Sequence, residues 1–382
     1  MRQLVVLGSG IAAYRATSVL QGRLEGRRHV GLTVVSSSNH FLYRPLLHHV
    51  ISGGLETTSI SVPYTNALRD STRLVVASEL QVDAANNRVV ADQNEIDYDY
   101  LVVALDREVD WGGSDTCRRH AHRFHTAGDG ADLRSRLQRS DSRSYLVVGS
   151  GPAGVELASE LRHVLGPLDG DDSGKVICID QNETPLTDLP RQVRDSCREH
   201  FEATGIEFRG GRRVVECDEK GVRFADGNRL DAEQIVWCAG TRPPSLLEDS
   251  DLPTDARGHL EVDGRLSVPG HSHVYAAGAS VAGPSGADSR PDANASQGET
   301  AAKNVLAELS GRTPTPWQLD LDRWLVSLGP DNAVVYRDGL VAEGTPGWAL
   351  YRMLHASFIP GIARKLGLVG AWVRDGVQRT GS

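Results

Sequence analysis

The hydrophobic pattern begins with a short apolar run, Leu4–Leu7, which predicts a β-strand. The glycine-rich segment 8–13 follows it, and residues Tyr14–Leu24 then form a predicted helix. A second apolar run near Gly31–Val35 predicts another strand. The order strand, glycine loop, helix and strand is that of a βαβ unit.

The same order returns about 140 residues later along the chain. The predicted strand 145–148 leads into the glycine-rich loop 149–154, a helix over 155–165 and a strand over 175–180. An acidic loop at 169–174 separates that helix from that strand. Two βαβ units in tandem predict two nucleotide-binding domains more firmly than either unit would alone.

Short apolar segments are predicted to add strands to both units. Those of the first unit are 88–90, 95–98 and 100–104, and those of the second are 214–217, 221–224 and 234–238. A Gly-, Pro- and Ser-rich loop at 283–291 precedes a predicted helix over 295–309.

The length of 382 residues exceeds that of one ordinary domain. We expect an α/β fold with two Rossmann-like dinucleotide-binding domains, the second inserted in the first, and a C-terminal extension. The first domain would comprise 1–112 and 262–320, the second 113–261, and the extension 321–382.

Composition narrows the set of partners. The formal net charge of −9 argues against nucleic acid, which requires a basic face. The five cysteines are scattered without a CxxC pair, so we expect buried thiols in a reduced cytoplasm and no metal site. The first strand starts within three residues of Met1, and no run approaches the roughly 20 apolar residues of a spanning helix. We therefore expect a cytoplasmic protein.

The second glycine loop carries the residues that a dinucleotide requires. Gly149 and Gly151 permit a tight bend and the close approach of a pyrophosphate to the helix N-terminus, and Gly154 completes the pattern. Asp180 ends the next strand, where its carboxylate can accept both ribose hydroxyls and repel a 2′-phosphate. The loop therefore predicts NADH in preference to NADPH; the alternative is a glycine turn with a capping Asp.

Two further residues are predicted to lie beside this nucleotide. Glu156, on the first turn of the helix, either stabilises the helix dipole or lines the nicotinamide pocket. The segment Cys238–Pro243 turns sharply after a strand and would bring backbone amides, including that of Gly240, near the ligand.

Several motifs together resemble the type II NADH dehydrogenase branch of the two-dinucleotide flavoprotein reductases. They are the segments 149–161, 238–243, 41–47 and 274–278, and the C-terminal stretch from Trp348 to Trp372. The resemblance extends almost from end to end of the chain. It implies FAD in the first domain and NADH in the second, with hydride transfer to the flavin and onward to a quinone or another small acceptor. It also implies no metal and no redox-active cysteine pair.

By this resemblance, five positions would contact FAD. They are Gly8, Gly10 and Ala13 of the first loop, Pro45 of the segment 41–47, and Gly278.

Three flavin contacts of the family are replaced in this chain. Ser36 stands where an Asp or Glu should bind the FAD ribose, and it offers one neutral hydrogen bond. Asp106 replaces the glycine of an Ala-Thr-Gly turn, and Ala279-Ser280 replace an Asp near the flavin phosphates. Losing two charged anchors would cost about 3–6 kcal/mol, or on the order of 10² to 10⁴ in affinity. We expect FAD binding to be weak or lost.

The quinone-facing pattern of the family is also reduced. It falls on 292–297, where Ala295 and Gln297 remain. The candidate catalytic residues are therefore Glu156 and Gln297.

Two histidine groups leave alternatives open. His48 and His49 form either a surface pair or a neutral proton donor near the flavin, with the surface pair favoured. His120, His122 and His125 alternate along a predicted strand or linker, for which metal binding is the less favoured alternative.

The C-terminal stretch 348–372 mixes aromatic and aliphatic residues with Arg352, Arg364 and Lys365. It fits either a peripheral contact with the inner face of the cell membrane or a helix pair that packs on its own domain or on the second copy of a homodimer. Pro360 and Gly361 should divide it into two short helices.

Three functional hypotheses remain. The first is an FAD-linked NADH oxidoreductase; the second is a descendant without flavin that uses the vacated cleft for another substrate; the third is a non-catalytic nucleotide-binding protein. The replaced flavin contacts motivate the second and third hypotheses.

Overall fold

The computed structural model describes residues 1–27, 29–139, 144–166, 174–282, 290–319 and 322–380. Its helices are α1 (Ile11–Leu24), α2 (His48–Ile51), α3 (Thr57–Ile60), α4 (Asp115–His120), α5 (Ala127–Arg139), α6 (Pro152–Val164), α7 (Arg191–Thr204), α8 (Pro291–Leu309), α9 (Gly344–Phe358) and α10 (Ile362–Thr380). Its strands are β1 (Arg2–Leu7), β2 (Val30–Ser36), β3 (His40–Leu42), β4 (Ser61–Pro63), β5 (Thr72–Val76), β6 (Leu80–Asp83), β7 (Arg88–Ala91), β8 (Asn94–Asp97), β9 (Tyr100–Val103), β10 (Glu108–Val109), β11 (His122–Arg123), β12 (Ser144–Val148), β13 (Lys175–Ile179), β14 (Glu207–Arg209), β15 (Val214–Asp218), β16 (Gly221–Phe224), β17 (Arg229–Asp231), β18 (Gln234–Trp237), β19 (Thr241–Arg242), β20 (Ser267–Val268), β21 (His271–Ala276), β22 (Arg323–Ser327), β23 (Ala333–Arg337) and β24 (Leu340–Ala342).

The chain divides into two compact units. Unit 1 comprises 1–43, 61–108 and 241–320, and unit 2 comprises 44–60, 109–240 and 321–382. The predicted boundaries differ from these: segment 44–60 belongs to unit 2, as does the predicted extension, and 241–261 belongs to unit 1. The first difference has a physical cause, because α2 packs against α5 and α6 of unit 2.

Unit 1 is built on a sheet with the strand order β20-β21-β9-β1-β2-β5. Strand β1 pairs in parallel with β2 and β9, and Leu7 stands opposite Val35 on one side and Val103 on the other. The carboxyl ends of these strands therefore meet at one edge, where the glycine loop starts.

Unit 2 repeats this plan with the parallel order β11-β18-β12-β13-β14. Strand β12 lies between β13 and β18, and Val148 stands opposite Ile179 and Trp237. An antiparallel sheet of β22, β23 and β24 also belongs to this unit, as do α9 and α10.

The predicted α/β fold with two parallel-sheet units is confirmed. Three helices start earlier than predicted, at Ile11, Pro152 and Pro291. In the last two, proline fits the first turn, where its missing N–H has no partner to lose. The predicted break at Pro360 and Gly361 is present between α9 and α10. The predicted loops at 169–174 and 283–291 lie mostly outside the described residues. In the part of the chain that is described, no helix is long and apolar enough to cross a membrane.

Candidate functional site

The second glycine loop is open at the position where a pyrophosphate would approach. A Cβ built on Gly151 would meet no atom within 4 Å. Gly151 is the N-cap of α6, whose first N–H groups point into this space. Gly154 permits the helix to pack closely, because a Cβ there would lie 1.9 Å from the Gly149 oxygen. The geometry fits a bound anion.

Asp180 holds this loop in place. Its Oδ2 accepts hydrogen bonds from the Ser150 N–H at 2.6 Å and the Ser150 hydroxyl at 2.9 Å, and its Oδ1 accepts one from the Asn182 N–H at 2.9 Å. Carboxylate oxygens have further lone pairs, so the predicted contact with ribose hydroxyls stays compatible with these bonds. Gly240 lies on the exposed turn after β18 with a φ of +124°, and its oxygen accepts the Asp110 N–H at 3.1 Å.

The first glycine loop has different surroundings. A Cβ built on Gly10 would lie 2.6 Å from Asp106 Oδ1 and 2.9 Å from Oδ2. The same carboxylate helps to raise the pKa of the buried Tyr64, although burial is the larger cause. An anionic side chain therefore stands in the space that a pyrophosphate would use. The residues at this loop do not fit the pyrophosphate of FAD.

Most of the other residues predicted to contact flavin or quinone make contacts within unit 1. The buried Ser36 hydroxyl accepts the Ser38 N–H at 3.0 Å. Gln297, which is 2% exposed, accepts the Gly278 N–H through Oε1 at 2.7 Å. Ala13 is buried in α1. These contacts support the fold of unit 1, and the catalytic role of Gln297 stays a prediction. Pro45 lies in unit 2, where its oxygen is 3.4 Å from the Tyr351 hydroxyl.

A buried cluster of ionisable side chains joins three helices of unit 2. The prediction of His48 and His49 as a surface pair is wrong, because each is 2% exposed. The reason is that α2 packs on α6, from which Glu156 and Glu160 project. The members of this buried cluster are His48 and His49 of α2, Glu156 and Glu160 of α6, and Tyr351 and His355 of α9.

Hydrogen bonds and ion pairs hold the buried cluster together. Glu156 Oε1 accepts the Ser327 N–H at 3.0 Å and the Tyr351 hydroxyl at 3.1 Å. Its Oε2 lies 3.4 Å from His48 Nδ1. His49 Nδ1 lies 3.0 Å from Glu160 Oε1. Glu156 therefore connects α6 to β22, α9 and α2.

Burial controls the protonation of these groups. It raises the pKa of Glu156 to about 8, against the lowering effect of the bonds from Ser327 and Tyr351. Burial also lowers the pKa of His48, with His49 adding to the effect, and lowers the pKa of His355 to about 3. The raised pKa of Glu156 and the lowered pKa of His48 both favour the neutral forms of these two side chains.

The histidines considered for metal binding are arranged differently from the expectation. His122 belongs to β11 and its Nε2 lies 2.9 Å from Gln234 Oε1, whereas His120 ends helix α4, so among these histidines the predicted strand is present at His122 alone. Among the described residues, the group with metal-ligand spacing is instead His48, His49 and Glu160, whose ligand atoms lie within 4.8 Å of one another. This group was not predictable from local sequence, because Glu160 lies more than one hundred residues from the histidines.

A family model for pyridine nucleotide-disulphide oxidoreductases matches residues 2–300. The chain belongs to this family. The predicted assignment to the two-dinucleotide oxidoreductases is thereby confirmed.

Individual relatives agree with this assignment. The type II NADH:quinone oxidoreductase Ndh of Mycobacterium tuberculosis is 25% identical over 411 aligned positions, covering 97% of this chain and 87% of that protein. The type II NADH:quinone oxidoreductase of Staphylococcus aureus is 26% identical, covering 87% of this chain and 89% of that protein. The resemblance to the type II branch is confirmed.

Solved structures share the fold. NDH2 from Plasmodium falciparum in complex with NADH superimposes with a TM-score of 0.82 at 15% identity, covering 98% of each chain. The sulfide:quinone oxidoreductase of Aquifex aeolicus gives a TM-score of 0.81 at 15% identity, covering 94% of this chain and 90% of that chain.

Proposed function

We propose that this chain is an NADH-dependent oxidoreductase that binds NADH at the second glycine loop. The observation that carries the proposal is the open space over Gly151 at the N-terminus of α6, with Asp180 at the end of the neighbouring strand. A pyrophosphate would rest on the α6 N–H groups, and Asp180 would accept the ribose hydroxyls. The relatives' names, which specify NADH, support this choice.

The buried cluster fits a role in proton supply. Reduction of a two-electron acceptor A follows NADH + A + H⁺ → NAD⁺ + AH₂, so the acceptor takes a hydride and one proton. Glu156 lies on α6, the helix that leaves the nucleotide loop, but beyond its first turn, so its predicted place on that turn is wrong because the helix starts earlier, at Pro152. Its raised pKa favours the protonated carboxyl at neutral pH. We propose that the catalytic role of Glu156 is to hold this proton.

The acceptor is a quinone or another small molecule with two-electron chemistry. This choice rests on the relatives, which are named as quinone oxidoreductases. No step of the proposed reaction passes through FAD, because the residues around Gly10 do not fit its pyrophosphate.

Titration with NADH, followed by its fluorescence, tests the proposal. Saturable binding together with NADH oxidation in the presence of a soluble quinone is the expected result. A folded protein that ignores saturating NADH would exclude the nucleotide site. Binding without turnover by any quinone or dye would favour the non-catalytic hypothesis.

We also propose that α10 makes a peripheral contact with an anionic membrane. Leu368 and Trp372 are buried, whereas Ile362 and Leu366 are 79% and 68% exposed on the other side of the helix. Exposed apolar side chains on a helix that also carries Arg364 and Lys365 fit the interface of an anionic bilayer.

Sedimentation with anionic vesicles tests this contact. The double variant Ile362→Glu, Leu366→Glu should lose most of its vesicle binding because each carboxylate would enter the interface. Leu340→Glu is the matched control, since Leu340 is 77% exposed on β24 of the same unit. Equal loss in both variants, or no vesicle binding by the wild type, would refute the membrane contact.

A further inference from the structure

Strand register shows that Asp106 and Gly240 hold equivalent positions in the two units. Leu7 pairs with Val103, and Val148 pairs with Trp237. Asp106 and Gly240 are each the third residue after these paired strand ends. Unit 1 therefore has a carboxylate at the point where unit 2 has no side chain.

The Asp106 carboxylate lies beside the N-terminus of helix α1. The N-terminal N–H groups of a helix attract a negative charge. Helix α1 has no acidic residue in its first turn and no side-chain cap on Gly10. The Asp106 carboxylate, beside Gly10, supplies a negative charge at this end from within the chain. A pyrophosphate would have to displace it or be repelled by it.

Ser280 fixes the turn that carries Asp106. The Ser280 hydroxyl accepts the Leu105 N–H at 2.9 Å and lies 3.3 Å from the Leu105 oxygen, to which it donates. Ser280 is fully buried. Because Leu105 directly precedes Asp106, the replacement at 279–280 and the replacement at 106 belong to one arrangement.

We propose that Asp106 is an internal anion that takes the place of a dinucleotide pyrophosphate in unit 1, so that this unit excludes FAD. Ser280 is a positioning residue that holds the turn. The cleft of unit 1 then selects ligands with a neutral or cationic group beside Gly10. This inference concerns unit 1 and is independent of NADH binding in unit 2.

Equilibrium titration with FAD, followed by quenching of flavin fluorescence, tests the exclusion. The wild-type protein should purify without flavin and ignore added FAD. Asp106→Gly removes both the charge and the side chain, and it should raise FAD affinity by about 10- to 100-fold, as expected for one charged contact. Asp106→Asn removes the charge alone and should give a smaller gain.

Asp70→Asn is the matched control, because Asp70 is an exposed acid of the same unit and the substitution removes the same charge. It should leave FAD affinity unchanged. NADH titration of each variant confirms an intact unit 2, so a failure of NADH binding is recognised separately. If Asp106→Gly does not fold, the FAD affinity of Asp106→Asn tests the proposal instead. Wild-type protein that retains one FAD through gel filtration would overturn the proposal, as would folded variants at Asp106 that bind FAD no better than wild type.

Discussion

The two glycine loops differ most at the space beside their second glycine. Nothing lies within 4 Å of a Cβ built on Gly151, whereas the same position on Gly10 meets the Asp106 carboxylate. The loops are otherwise closely matched: Gly8 and Gly149 both have positive φ, and the turn after the neighbouring strand packs against each of them. A glycine pattern thus indicates the backbone of a nucleotide loop but does not decide whether a nucleotide can enter it.

The two units also differ at the ends of β2 and β13, the strands that follow the two glycine loops. Val35 stands opposite Leu7, and Ile179 stands opposite Val148, so Ser36 and Asp180 are equivalent positions. Unit 2 therefore has its carboxylate at the strand end, where the ribose is predicted to bind, and none on the turn at Gly240. Unit 1 has the reverse, with serine at the strand end and Asp106 on the turn. Because the two units place their acidic residues differently, we expect them to select different ligands.

The largest expected effect comes from copying the unit 1 arrangement into unit 2. Gly240→Asp places a carboxylate at the position equivalent to Asp106, and its charge should repel the NADH pyrophosphate. We expect NADH affinity to fall at least 100-fold, or about 3 kcal/mol, in a fluorescence titration. Gly240→Ala is the control, because it adds the same backbone strain at a φ of +124° without the charge. If both variants lose affinity equally, the charge is not what distinguishes the loops.

A second effect concerns the residue five positions after the second glycine of each loop. In unit 1 this residue is Arg15, which forms a part-exposed ion pair with Glu299 at 2.6 Å. In unit 2 it is Glu156, which is buried with a pKa raised to about 8. Between pH 4.5 and 8, the unfolded chain ionises this carboxyl while the folded chain keeps it protonated. Unfolding therefore releases a proton, and stability should fall as pH rises through this window.

Glu156→Gln should remove this part of the pH dependence. The amide keeps the acceptor for Ser327 and Tyr351 and a donor toward His48, so it imitates the protonated carboxyl. We expect wild type to lose roughly 2 kcal/mol relative to this variant between pH 5 and 7, measured by chemical denaturation. The titrating histidines of the buried cluster act in both proteins, so the difference isolates Glu156. Parallel stability curves would show that Glu156 is ionised in the folded chain.

Local pattern was enough to predict the elements around both loops. The strands, the glycine turns and the position of Asp180 follow from short stretches of sequence. In these stretches apolar runs predict strands and glycines predict tight turns. The burial of His48 and His49 was not predictable in this way. It depends on α2 packing against Glu156 and Glu160, which lie more than one hundred residues away. The direction of the Asp106 side chain was not predictable for a similar reason. The turn that carries Asp106 is held by Ser280, which is distant in the sequence.

The smallest expected effect separates two roles of Asp180, whose equivalent in unit 1, Ser36, has no carboxylate. Asp180→Ala should lower NADH affinity roughly 10-fold, as expected for one charged hydrogen bond. Because the carboxylate also holds Ser150 through two bonds, the loop itself will loosen. Comparison with NADPH distinguishes the causes: contact with the ribose predicts that the preference for NADH over NADPH shrinks, since a 2′-phosphate is no longer repelled. Ser150→Ala keeps the carboxylate and should preserve that preference. If Asp180→Ala weakens the binding of NADH and of NADPH equally, Asp180 acts only on the loop. The carboxylate at this strand end would then not explain why the two units bind different ligands.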